Sequence, residues 1–210
     1  NQVLDRALKL TGMQRSIYLM KFRNFEALGV RDSAITQLEL LREVDPDNLN
    51  TLNILSEYYT SSGKEGSAKK VLTEALNRNA RDPQSLINLA RIYIVDQKWD
   101  SAGTLIRAFL GDKVILPEQK LSVAQFLYAK QQEAPFNEQL KKETGLALDT
   151  YTESSPGYGP AFTLSGQYYA QNSQVDKAIE KLKKGNELLP QDDIAWRLRL
   201  QLLLSEDRLD

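Results

Sequence analysis

Residues 49–82 read LNTLNILSEYYTSSGKEGSAKKVLTEALNRNARD, and residues 83–116 read PQSLINLARIYIVDQKWDSAGTLIRAFLGDKVIL. The second segment repeats the landmarks of the first at a spacing of 34 residues. Ala68 and Ala102 share one slot, and Tyr59 and Tyr93 share another. Within each segment, apolar residues recur three or four positions apart, which is the period of an amphipathic helix. The pattern therefore predicts two helices per segment, with Gly63 ending the first helix of residues 49–82.

The same landmarks recur on both sides of this pair of segments. Upstream, Phe22, Gly29 and Ala34 fall in matching slots, and downstream Gly166 and Ala178 do so. Small residues in these slots let two helices approach closely, and the larger apolar residues fill the space beside them. The repeat predicts one array over the whole chain, divided as follows: 1–14, the second helix of a truncated repeat; 15–48, 49–82 and 83–116, regular repeats; 117–158, an elongated repeat; 159–192, a regular repeat; 193–210, the first helix of a truncated repeat.

The elongated repeat holds 42 residues instead of 34. About eight extra residues correspond to about two helical turns shared between its two helices. The sequence predicts that the segment 131–137, with Pro135, is the turn between the two longer helices. The expected apolar face of this repeat consists of Phe126, Leu127, Leu140, Leu146 and Leu148.

This order of landmarks, a large residue, then a small one, then Tyr, Ala and Pro, resembles the tetratricopeptide repeat (TPR) family. The resemblance covers nearly the whole chain. It implies an all-α fold, an α-solenoid of antiparallel helix-turn-helix repeats forming a right-handed superhelix.

Both ends interrupt a repeat in this alignment, which indicates a fragment of a longer multi-repeat protein. Complete solenoids end in a polar capping helix that covers the last apolar face. The last predicted helix instead carries Leu198, Leu200 and Leu203 without a second helix to cover them. We therefore expect further repeats in the parent protein, or self-association of the isolated piece through its exposed terminal helices.

The composition argues against several classes of function. A net charge of −1 gives no long-range field to attract nucleic acid or an anionic membrane. The chain has no His and no Cys, so the commonest general base, metal ligand and thiol nucleophile are all missing. No segment is long and apolar enough to cross a bilayer. We expect neither an enzyme nor a cofactor, no nucleic acid partner and no direct membrane insertion.

The TPR resemblance implies that the first helices of successive repeats line a concave groove that binds another protein. Polar side chains on those helices can hydrogen-bond a peptide backbone, and apolar ones can pack between its side chains. The predicted peptide-binding residues are Arg23, Asn50, Asn53, Glu57, Gln84, Ile87, Arg91, Ile94, Gln125, Tyr128, Gln167 and Arg197. A wider set on the same helices adds Glu26, Thr60, Glu118, Thr163, Gln171 and Gln201.

The expected function is that of a protein-protein interaction scaffold that holds a partner protein or peptide segment in this groove. Two alternatives remain open at the level of sequence. The array could be the regulatory or substrate-recognition arm of a larger enzyme, or a structural subunit of an envelope assembly or secretion complex.

Overall fold

The computed structural model describes residues 2–5 and 14–206, and over these ranges the chain forms helices and turns without a strand. A single helical turn at 2–5 precedes eleven helices. They are α1 (Gln14–Ala27), α2 (Arg31–Val44), α3 (Leu49–Ser61), α4 (Glu65–Arg78), α5 (Pro83–Val95), α6 (Trp99–Gly111), α7 (Pro117–Glu133), α8 (Glu138–Ser154), α9 (Gly159–Gln171), α10 (Val175–Leu188) and α11 (Asp193–Ser205). The fold is all-α, as the sequence predicts. The helix expected over 1–14 lies mostly outside the described residues.

Short turns with one recurring backbone feature follow four of the odd-numbered helices. Gly29 and Gly63 adopt φ values of +69°, and Gln97 and Ser173 adopt +56° and +57° in the corresponding turns. A left-handed residue ends the helix and redirects the chain, which is how a short turn joins two antiparallel helices. Glycine adopts this conformation without penalty, whereas Gln97 and Ser173 each strain the backbone by about 1 to 2 kcal/mol.

Asparagine or aspartate caps fix the start of several helices. The side chains of Asn48, Asp82 and Asp192 accept hydrogen bonds from backbone N–H groups in the first turns of α3, α5 and α11. Asn137 does the same for α8, with 2.9 Å between its Oδ1 and the nitrogen of Leu140. These caps satisfy donors that a helix start leaves unpaired, and three of the four position odd-numbered helices, which carry the predicted site.

The small residues of the repeat lie at the closest helix contacts. Ala34, Ala68, Ala102 and Ala178 are all at most 1% exposed, which confirms the prediction that their slot lies in the core. At Gly166 in α9, an added Cβ would lie 2.5 Å from Leu182 Cγ in α10. The periodic small residues therefore set how closely the helices approach each other.

The chain forms two compact units, Asn1–Asp96 and Gln97–Asp210, which we call unit 1 and unit 2. In unit 1, α1 packs on α2 and α3 on α4, while α3 also contacts α5. In unit 2, α8 packs on α6 and α7, and α9 contacts α7, α8, α10 and α11. Side-by-side contacts between odd-numbered helices therefore occur within each unit. The sequence-based repeat boundaries stay a prediction.

The two helices of the elongated repeat are longer than the rest. α7 and α8 have 17 residues each, against 13 or 14 in every other helix of α1 to α11. Each is thus about one turn longer, since a turn takes about 3.6 residues. Leu127, Leu140 and Leu148 are buried as expected, but the prediction was wrong for Phe126 and Leu146, which are both 42% exposed. The buried face of α7 includes Ala124 and Leu127, and that of α8 includes Ala147 and Tyr151. Phe126 and Leu146 lie at other angles around their helices and therefore point away from the neighbouring helices.

Candidate peptide-binding grooves

The twelve predicted binding residues all lie on odd-numbered helices, but the structure gives them different surroundings. Those that are exposed are Arg23, Asn50, Glu57, Gln84, Arg91, Gln125 and Arg197. Ile87 and Gln167 are half-buried, and Asn53, Ile94 and Tyr128 are buried. Only the exposed group presents most of its side chain to a partner, and Ile87 and Gln167 present a smaller part.

In unit 1, an open cavity of about 260 Å³ lies between α3 and α5. We call it the charged groove; it is lined by Ser56, Glu57, Thr60, Ser61, Glu65, Asn88, Arg91, Ile92 and Val95. The carboxylate of Glu57 accepts hydrogen bonds from Gln84 Nε2 at 3.3 Å and Asn88 Nδ2 at 3.2 Å. Arg91, by contrast, forms no ion pair or side-chain hydrogen bond with any other residue in the described ranges. Its guanidinium is therefore available to an acceptor on a bound segment.

Asn53 lies in the same region but is committed to the fold. Its Nδ2 donates to Asp82 Oδ2 at 2.8 Å, and its Oδ1 accepts from Ser85 Oγ at 2.9 Å. Burial alone would raise the pKa of the Asp82 carboxyl, but the hydrogen bonds from Ser85 and Asn53 hold that pKa below its usual value. Asn53 thus joins α3 to the start of α5.

In unit 2, a larger open cavity of about 480 Å³ runs across α7, α9 and α11. We call it the glutamine trough; it is lined by Tyr128, Gln132, Gln167, Ala170, Gln171, Leu198, Gln201 and Leu202. Gln171 Oε1 accepts from Tyr128 Oη at 2.5 Å and from Gln132 Nε2 at 3.2 Å. Burial raises the pKa of the Tyr128 phenol, which keeps it neutral. Every side chain that lines this trough is uncharged.

The amides of Gln167 and Gln201 are not used by the fold. Neither hydrogen-bonds another residue within the described part of the chain. Each amide offers two N–H donors and a carbonyl acceptor. The trough therefore presents unused donors and acceptors beside the apolar side chains of Ala170, Leu198 and Leu202.

The remaining predicted residues do not line these two grooves. Arg23, Asn50 and Gln125 are exposed elsewhere on α1, α3 and α7. Arg197 lines a separate cavity of about 360 Å³ with Trp196, Arg199, Leu200 and Leu203. The structure therefore brings Glu57 and Arg91 together in one groove, and Tyr128 and Gln167 together in the other.

Several residues that line the grooves were not predicted from the sequence. The clearest examples are Gln132 and Glu65. A regular first helix of 13 residues starting at Pro117 would end at 129, so Gln132 belongs to the extra turn of α7. The prediction of a turn over 131–137 was wrong at its start, because α7 continues to Glu133 and places Gln132 beside Gln171. Glu65 is the first residue of α4, and it lines the charged groove next to the turn between α3 and α4.

Features of other functional classes are not seen in the part of the chain that the structure describes. Residues 2–5 and 14–206 contain no group of three acidic, His or Cys side chains that could hold a metal ion. None of the helices described is both long enough and apolar enough to span a bilayer.

Known structures share this arrangement of helices. The chain is similar to MamA, at 17% identity over 85% of this chain and 93% of that one, with a TM-score of 0.51. A tetratricopeptide repeat protein from Parabacteroides merdae has 17% identity over 93% of this chain and 74% of that one, with a TM-score of 0.53. YrrB, described as a TPR protein with an unusual peptide-binding site, has 16% identity over 94% and 97%, with a TM-score of 0.50. No protein-family model matches the sequence, and no curated protein matches it.

Proposed function

Because the chain has the fold of the tetratricopeptide repeat proteins, we propose that it is an interaction scaffold that binds segments of partner proteins along its odd-numbered helices. The observation that carries the proposal is the pair of open grooves, one in each unit, whose linings include polar side chains with no hydrogen-bonding partner in the described part of the chain. Arg91 in the charged groove and Gln167 in the glutamine trough are the clearest examples.

The shape of the grooves favours a polypeptide over a small metabolite. Both are open to solvent and lie across neighbouring helices, whereas small-molecule sites enclose most of their ligand. Polar side chains interspersed with apolar ones suit a chain that offers a backbone hydrogen-bonding group and a side chain at each residue. The peptide-binding site described for YrrB, which has the same fold, also supports this function.

Binding accounts for these grooves better than catalysis does. The glutamine trough holds only amides, aliphatic groups and one neutral phenol. In the charged groove, the carboxylate of Glu57 already accepts hydrogen bonds from the amides of Gln84 and Asn88. Binding a partner protein requires no general base, nucleophile or metal ion.

A capture experiment with matched variants tests the proposal. The first variant carries Arg91→Ala, Gln125→Ala and Gln167→Ala, which lie on α5, α7 and α9 and make no side-chain hydrogen bond within the described residues. The control carries Lys70→Ala, Lys142→Ala and Lys183→Ala, three exposed side chains on the even-numbered helices α4, α8 and α10. Asn53 is left intact because its substitution would disturb the fold.

We expect a partner from a lysate of the source organism to bind the native chain and the control and to be lost from the first variant. Thermal unfolding of all three proteins checks that they are folded. Equal capture by the first variant and the native chain would refute binding along the odd-numbered helices.

A further inference from the structure

The two grooves differ in the charge of their lining. The charged groove contains Glu57, Glu65 and Arg91, whereas the described residues that line the glutamine trough include no ionisable side chain other than the neutral phenol of Tyr128. An ionised side chain placed in the trough would lose hydration without meeting an opposite charge. The trough therefore discriminates against charged ligands.

The extra turn of α7 completes this trough. Gln132 lies in that turn, and its Nε2 donates to Gln171 Oε1, the same atom that accepts from Tyr128. With its carbonyl occupied twice, Gln171 keeps its two N–H donors for an outside acceptor. Without the added turn, the wall formed by Gln132 would be missing.

The free amides are suited to an extended backbone. In an extended segment, unlike in a helix, the N–H and C=O groups are not paired within the segment. Gln167, Gln171 and Gln201 can donate to its carbonyls, and Gln167 and Gln201 can also accept from its N–H groups. Ala170, Leu198 and Leu202 offer apolar contacts to its alternate side chains.

We infer that the glutamine trough binds an uncharged, extended polypeptide segment through its backbone. The inference rests on the proposed scaffold function and specifies the ligand for one of its grooves. Neighbouring helices lie about 8 to 10 Å apart, so the three helices span about 16 to 20 Å. At about 3.3 Å per residue, that length accommodates about five or six residues.

The test uses a displayed library of random linear peptides of about twelve residues, about twice the span of the trough. Peptides selected on the full 210-residue chain are synthesised with acetylated and amidated ends, so that no terminal charge contributes. Their affinity is measured by fluorescence anisotropy between about 0.05 M and about 0.5 M NaCl, because salt screens charge-charge attraction over this range.

Two variants and one control assign the binding site. Gln167→Met with Gln201→Met removes two amides that have no hydrogen-bonding partner in the described chain while keeping the side-chain length. Gln139→Met changes an exposed glutamine on α8 that does not line the trough. Gln167→Glu places a negative charge in the trough without altering its shape.

The expected result is a set of peptides with a run of uncharged residues whose affinity changes less than about twofold with salt. The paired Met variant should weaken binding by about tenfold, the effect of losing two neutral hydrogen bonds, while Gln139→Met should leave it unchanged. Selection on Gln167→Glu should enrich Lys or Arg.

Three outcomes would overturn the inference. The selected peptides could be charged and salt-sensitive, they could ignore the Met substitutions in the trough, or selection could yield no binder. If the binders were instead lost on Arg91→Gln in the charged groove, the scaffold function would stand and only the assignment of the uncharged ligand would fall.

Discussion

At the scale of single residues, Lys120 is a buried charged side chain whose burial affects the stability of the fold. It is fully buried, and its Nζ donates to Ser154 Oγ at 3.0 Å. That hydroxyl in turn donates to the carbonyl oxygen of Leu110 at 2.6 Å, near the C-terminal end of α6. Burial lowers the pKa of the Lys120 ammonium, and the Asp112 carboxylate only partly opposes the shift.

The lowered pKa predicts a specific pH dependence. Between the folded-state pKa and the unfolded-state value of 10.5, the unfolded chain binds more protons at Lys120 than the folded chain does. The contribution of Lys120 to the free energy of unfolding therefore rises with pH through this window. Lys120→Met removes the charge and this dependence together.

We expect Lys120→Met to be at least as stable as the native chain near pH 7, with a gain of up to about 1 kcal/mol, since an apolar residue avoids the desolvation cost. The native chain should gain on the variant as the pH rises from about 7 towards the unfolded-state pKa of 10.5. Urea unfolding at pH values across this range measures the difference, and Lys70→Met, at an exposed position, is the control. A difference between native and variant that stays constant with pH would contradict the prediction.

Asn53 is a predicted binding residue whose side chain stabilises the fold instead. Asn53 was predicted to bind because the TPR resemblance places the first helix of its repeat along the groove, but its amide is paired with Asp82 and Ser85. A polar residue on the expected face of a helix can thus be a structural link instead of a ligand contact.

At the level of the helix pair, the close approach of α9 and α10 depends on a glycine. An added Cβ at Gly166 would lie 2.5 Å from Leu182 Cγ and 3.3 Å from the Leu182 backbone nitrogen. The backbone of α10 cannot yield as easily as a side-chain end. Gly66 in α4 is the opposite case, since no atom lies within 4 Å of the equivalent position.

We therefore predict opposite effects for the same substitution at the two sites. Gly166→Ala should lower the free energy of unfolding by about 1 to 3 kcal/mol through overpacking. Gly66→Ala should raise it by up to about 1 kcal/mol, because alanine loses less conformational entropy in a helix. Chemical denaturation gives both values, and a destabilised Gly66→Ala or an unaffected Gly166→Ala would show that packing at Leu182 is not the deciding factor.

At the scale of the whole molecule, the structure leaves the apolar side chains of α11 partly uncovered. Trp196, Leu200 and Leu204 on α11 are 48%, 53% and 53% exposed. Covering each such leucine would stabilise an assembly by up to about 1.5 kcal/mol, about half the effect of full burial. The net charge of −1 adds almost no repulsion between copies.

We predict that the 210-residue chain self-associates through α11. Leu200→Glu with Leu204→Glu should shift the chain to monomer, because each copy would bring like charges into the contact. Sedimentation velocity over a concentration series measures the shift, with Ser122→Glu and Gln139→Glu, two exposed positions on α7 and α8, as the charge-matched control. A native chain that is monomeric at every concentration would rule out the contact.

The sequence by itself determined the helical hairpins and their core. A repeat of fixed length places Ala34, Ala68 and Ala102 at equivalent contacts, and small residues at such contacts are buried because only they allow the helices to touch. The eight extra residues also led to the prediction of two longer helices, and α7 and α8 have 17 residues each.

Only the tertiary structure decided which polar side chains remain free to bind. Spacing along one helix says which face a residue occupies, but not whether a group on a neighbouring helix lies within about 3 Å to pair with it. Asn53 has such a partner in Asp82, and Gln132 on α7 has one in Gln171 on α9. Gln167 has none in the described part of the chain. The binding grooves thus follow from how the helices pack, because hydrogen bonds between helices depend on positions that a local pattern does not contain.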